Sequence, residues 1–197
     1  MPNTKKTITS SNTSVSVSSF KPIIRDMHRL LSFIPLRPYL QVGLFPTESK
    51  DIAIALGKTL WEGHLTIFVT KEKDLAGYQE AINAVRLSNV SIMLKPKAGY
   101  NSHISSLDGI IIDIHSASKI PPKLRLRSLT SYLGTKGWLA IVISDASTQQ
   151  QHGRAEREPM LSSLTKTAEA AKFTLKQKRD LDPSFAILSF NRPIPDP

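Results

Sequence analysis

A chain of 197 residues, 40% of them hydrophobic, has the size and apolar content of one ordinary domain with a real core. It has no cysteine, which excludes disulfides and thiolate metal sites, and no run of about 18 apolar residues, which excludes a membrane-spanning helix. A net charge of +10 favours an anionic partner such as nucleic acid or a membrane surface.

Ten of the first twenty residues are Ser or Thr, and few are large and apolar. Burial there cannot offset the entropy of ordering, so residues 1–19 read as a disordered tail. Residues 1–37 carry Lys5, Lys6, Lys21, Arg25, Arg29 and Arg37 against one acid, Asp26. This acid-poor stretch reads either as a solvated tail on a cytoplasmic protein or as an organelle transit peptide. Within residues 20–38, Ile23, Ile24, Met27, Leu30, Leu31 and Ile34 recur at helical spacing, and Pro35 and Pro38 end the helix and its linker.

A domain is expected over residues 39–193, followed by a short tail at 194–197. Tyr39 to Val42 reads as a strand closed by Gly43, and Ser49 to Leu60 as a helix with Ile52, Ala53, Leu56 and Leu60 on one face. Leu65 to Val69 is a buried strand, Glu72 to Leu87 a helix and Val90 to Leu94 a third strand. Leu107 to Ile114 contains the strongest strand signal. Pro121 to Leu133 reads as a helix ending at Gly134, and Trp138 to Ile143 as the fifth strand. A polar loop from Ser144 to Arg157 precedes a helix from Glu158 to Ala171. Two last strands, Phe173 to Lys178 and Phe185 to Phe190, are joined too tightly for a crossover and must be antiparallel. The expected fold is α/β: an open, doubly wound, mostly parallel Rossmann-like sheet with a C-terminal antiparallel hairpin.

Four segments carry a family resemblance. They are Tyr39 to Gly43, Leu107 to Asp113, Leu133 to Val142 with its glycine before the fifth strand, and the closing hairpin from Ala171 to Phe190. Together they resemble the class I S-adenosylmethionine-dependent methyltransferases over nearly the whole globular part. Fibrillarin-type RNA methyltransferases share this architecture and suit the basic charge, although their glycine-loop sequence is absent. The resemblance implies that S-adenosylmethionine sits beyond the carboxyl ends of the strands, where strand order reverses.

Laid on the family's G-x-G-x-G loop, Gly43 matches the first glycine, while Phe45 and Thr47 stand at the second and third. Phe45 would set a ring where the cofactor belongs, and Pro46 and Thr47 resist positive φ. Strain at two such positions, ~1–3 kcal/mol each, would weaken binding roughly a hundredfold or more. At the end of the second strand, Thr70 stands where the family has an acid for the ribose hydroxyls. Glu72, two residues on, is either a substitute or an ordinary helix-start acid.

Asp113 and His115 end the fourth strand two residues apart, so they share a face in extended chain. They read as an orienting acid and a general base, or as a loop pair without catalytic duty. Lys119, Lys123, Arg125, Arg127 and Lys136 form an acid-free basic patch, suited to RNA phosphates or to plain solvation. No paired aromatic platform for stacking bases stands out. No histidine or acid spacing suggests a metal. Two functions remain open: a methyltransferase with a divergent loop, or a pseudoenzyme of that fold serving as a scaffold for RNA, a ribonucleoprotein or another protein.

Overall fold

Apolar runs bounded by glycines and polar turns become strands, and stretches with helical apolar spacing become the helices that cover them. The computed structural model describes residues 27–45, 50–94, 106–114, 126–144, 153–181 and 185–192. Helical residues 27–31 form α1. Then follow β1 (Gln41–Phe45), α2 (Asp51–Thr59), β2 (His64–Val69), α3 (Glu72–Ala84), β3 (Val90–Leu94) and β4 (Leu107–Ile114). The chain continues as α4 (Leu126–Leu129), β5 (Leu133–Ser144), α5 (Gly153–Ala170), β6 (Thr174–Leu181) and β7 (Phe185–Asn191).

The strands make one seven-stranded sheet in the order β3-β2-β1-β4-β5-β7-β6. The first five in sequence pair in parallel, with Leu44 facing Ile67 on one side and Ile111 on the other. β7 lies antiparallel between β5 and β6. This is the expected mostly parallel sheet with a closing hairpin, and it is the fold of the class I methyltransferases.

Alternation along the strands divides the core between the two faces. Val42, Leu44, Ile67, Ile111, Ala140 and Val142 pack under α1, α2 and α3, which supply Leu30, Leu31, Ile52, Leu56 and Ile82. Ile110, Ile112, Ile114, Leu139, Ile141 and Leu188 pack under α4 and α5, which supply Leu126, Leu129, Leu161 and Leu164. Each such side chain, fully buried, stabilises the fold by about 1.5–3 kcal/mol.

Several boundaries differ from the expectation for physical reasons. β1 does not stop at Gly43 but runs on to Phe45, because Gly43 pairs with Thr66 and Ile110 inside the sheet. β5 starts at Leu133, since Leu133 pairs with Leu107 ahead of a bulge in the ladder. Residues around Gly134 and Gly137 are therefore strand and not a helix end. Helical geometry in that region covers Leu126–Leu129 only, among the described residues. α5 begins at Gly153, not at Glu158 after a polar loop to Arg157, and passes through Pro159. The predicted tail at 1–19 and the polar stretch at 145–152 lie outside the described residues.

Candidate functional site

Strand order reverses between β1 and β4, which are neighbours although β2 and β3 intervene in sequence. A crevice at the carboxyl ends of β1, β2 and β4 is the expected ligand position in such a sheet. Phe45 ends β1, Thr70 follows β2, and Asp113 is the penultimate residue of β4.

Gly43 lies two residues short of that edge. A Cβ there would come within 2.8 Å of Leu107 Cδ1 and 3.0 Å of Phe68 Cε2. The need for glycine at this position is thus met by side-chain packing across the sheet. The ring of Phe45 is stacked on Phe68, with centroids 4.6 Å apart and planes 12° apart. Phe68 in turn meets Tyr132 at 5.8 Å. Phe45 therefore lays its ring against the α4/α5 side of the core, which sequence reading did not foresee. Thr47 lies outside the described residues.

Thr70 is exposed at the end of β2, and Glu72 is exposed in the first turn of α3 beside Asp74. Both acids suit the positive end of that helix. α2 begins at Asp51 with Lys50 as its N-cap, and no side-chain hydrogen bond from that residue caps it. The usual Ser, Thr or Asp partner for the first-turn N–H groups is therefore missing at the cap position. The Lys50 ammonium reaches across to α3, where Gly77 leaves it room: a Cβ on Gly77 would sit 3.1 Å from Nζ.

Asp113 is only 1% exposed. It alternates with Ile112 and so belongs to the α2/α3 face. Tyr78 of α3 is its neighbour there: burial, then the negative charges of Asp113 and Asp74, push the Tyr78 phenol well above the ordinary tyrosine value. Sequence reading missed Tyr78. Its signal was a tyrosine in phase with Leu75 and Ile82 on the apolar side of a helix.

His115, Lys119, Lys123 and Arg125 lie outside the described residues, and Arg127 is described only as a backbone position of α4. Lys136 is exposed in the leading part of β5. That part faces Leu107 and Gly109 at the start of β4, so Lys136 lies at the end of the sheet opposite Asp113. Asp108, the acid that opens β4, is structural: its carboxylate accepts a 2.8 Å hydrogen bond from the Gln41 N–H and ties β1 to β4. Among the described residues no group of three His, Asp or Glu is placed to hold a metal ion. Nor is any helix among them long and apolar enough to cross a membrane.

The sequence matches no protein-family profile and no curated protein. The fold has many solved counterparts. A SAM-dependent methyltransferase from Aquifex aeolicus superposes with a TM-score of 0.65 at 15% identity, covering 85% of this chain and 89% of that one. The fibrillarin/Nop5p complex gives 0.59 at 19% identity, covering 83% and 78%. The [4+2]-cyclase SpnF gives 0.64 at 12% identity, covering 86% and 81%. At such identities the likeness is one of fold, and the cyclase shows that this fold also carries other chemistry.

Proposed function

We propose that the protein is a class I methyltransferase-like protein that takes S-adenosylmethionine in the carboxyl-end crevice with a loosened grip. The observation that carries this reading is the convergence of Thr70, Asp113 and the start of α2 at the point where strand order reverses. The donor set suits such a ligand. The N–H groups at the start of α2 and the Lys50 ammonium suit its carboxylate. The Thr70 hydroxyl suits one ribose hydroxyl, and Glu72 stands close by in sequence for the second. Phe45, at the end of β1, borders the crevice from below.

When bound, S-adenosylmethionine supplies a methyl group activated by its sulfonium. The chain's own part is positioning and proton transfer. Burial of Asp113 suits an orienting acid better than a direct base. In this reading His115, two residues on in sequence, is the group that takes the proton released by the acceptor nucleophile.

Calorimetric titration with S-adenosylmethionine and S-adenosylhomocysteine tests the reading, with Thr70→Asp as a second protein. A carboxylate at position 70 accepts charge-assisted bonds from the ribose hydroxyls, so affinity should rise about tenfold. No binding by either protein at millimolar ligand would sink it.

The likeness to the fibrillarin/Nop5p complex and the charge of +10 favour a second reading, a scaffold for RNA or a ribonucleoprotein. Lys119, Lys123, Arg125, Arg127 and Lys136 would then contact phosphates.

A further inference from the structure

Tyr39 is 62% exposed and Trp61 is 67% exposed, among the most exposed large apolar side chains of the described residues. They are far apart in sequence, yet the fold brings their segments side by side. The Glu62 N–H donates to the Pro38 carbonyl at 3.1 Å, and the His64 N–H donates to the Leu40 carbonyl at 3.0 Å. Gly63 makes this approach possible, since a Cβ there would lie 2.2 Å from the Leu40 carbonyl oxygen. The two aromatics therefore stand on a rigid ledge at the amino-terminal end of β1 and β2, away from the carboxyl-end crevice.

The surroundings of the ledge are charged. Arg37 lies two residues before Tyr39, and Lys58 lies in the last turn of α2, three residues before Trp61. Arg86 follows α3 at the same end of the sheet, three residues before Asn89. The Asn89 amide donates to the carbonyls of Gly57 and Leu60 at the close of α2. All three cations are exposed; the acids at this end are Glu62 and Asp108, whose carboxylate already accepts from the Gln41 N–H. The third exposed large apolar residue, Leu94, is at the other end of β3 and does not extend the patch. A protein interface would surround buried aromatics with further apolar area and few charges. Two open rings within a positive rim instead match a strand whose bases stack while its phosphates meet cations.

We infer that this ledge binds single-stranded nucleic acid, with bases on Tyr39 and Trp61 and phosphates on Arg37, Lys58 and Arg86. The inference gives the scaffold reading a second, separate surface and is independent of cofactor binding. It therefore stands or falls apart from the titration above.

The test is fluorescence anisotropy of the full chain with labelled 12-nucleotide oligouridylate and oligodeoxythymidylate, and with an RNA duplex of the same length. The single strands should bind more tightly than the duplex, and the better of the two identifies the source as RNA or DNA. Tyr39→Ala and Trp61→Ala should each weaken single-strand binding by about five- to a hundredfold, with circular dichroism unchanged. Trp61→Phe should keep most of the affinity. Lys58→Gln should lower the slope of log affinity against log salt by about 0.7, the share of a single phosphate. Alanine variants that bind like the parent, or a duplex that binds as well as the strands, would overturn the inference. So would sedimentation showing that Trp61→Ala abolishes self-association and leaves strand binding untouched.

Discussion

Gly43 shows how one residue type can carry two meanings. On the sequence it resembles the first glycine of a cofactor loop; in the fold it is the place where Leu107 and Phe68 close over β1. Gly43→Ala should destabilise the protein by about 1–3 kcal/mol through overpacking, measured by denaturant unfolding. Stability within about 0.5 kcal/mol of the parent, the range of an ordinary surface change, would return the glycine to the ligand. Tyr78 makes a second case at the same scale. Its phenol is held neutral by burial and by Asp113 and Asp74, so its folded value lies above its unfolded one. Stability from such a group is complete below about pH 10, the ordinary phenol value, and is lost as pH rises beyond it. Tyr78→Phe should flatten the alkaline fall in stability above about pH 10 relative to the parent. Parallel curves for the two proteins would show that Tyr78 titrates alike in the folded and unfolded chain, and would contradict the upward shift.

At the scale of elements, helix ends were harder to see in the sequence than helix faces. α5 closes with Lys172 at φ 65, while the Phe173 N–H bonds the Ala168 carbonyl at 3.0 Å and the Lys172 N–H bonds that of Glu169 at 2.8 Å. This left-handed closing turn is normally built on glycine. Lys172→Gly should therefore stabilise the protein by about 1 kcal/mol, read from the denaturation midpoint, and a loss of stability would contradict the strain. The register of α5 is held on its other side by Arg157, which donates to Asp180 of β6 at 2.7 Å, and by Lys178 with Glu158. A stop at Gly43 and a helix to Leu133 were misread for one cause: glycine signals a local break, and in each case strand pairing overrode the local signal. Leu133 against Leu107 is the clearest instance.

At the scale of the molecule, the strand runs were legible because burial on both faces leaves Ile110 to Ile112 and Leu139 to Ile143 no polar position. The antiparallel hairpin was legible from its short connection. The insertion of β7 between β5 and β6 was not, since nothing local encodes which neighbour a strand takes. The site was half legible for the same reason. Asp113 and Thr70 follow from strand ends, but Tyr78 beside Asp113 and Trp61 beside Tyr39 exist only once distant segments meet. The two proposed sites now lie at opposite ends of one sheet. The five residues of β1 keep the ends apart by about 17 Å. Hydrogen exchange can therefore read both in one protein. S-adenosylhomocysteine should slow exchange around Phe45, Thr70 to Asp74 and Asp113, and leave residues 37–40 and 58–64 unchanged. Oligouridylate should do the reverse. β1, β4 and β5, paired on both sides, should exchange slowest in every state, and the edge strands β3 and β6 fastest among the strands. Protection of the same end by both ligands would mean that nucleotide chemistry is read at one place, and the two-ended assignment would fail.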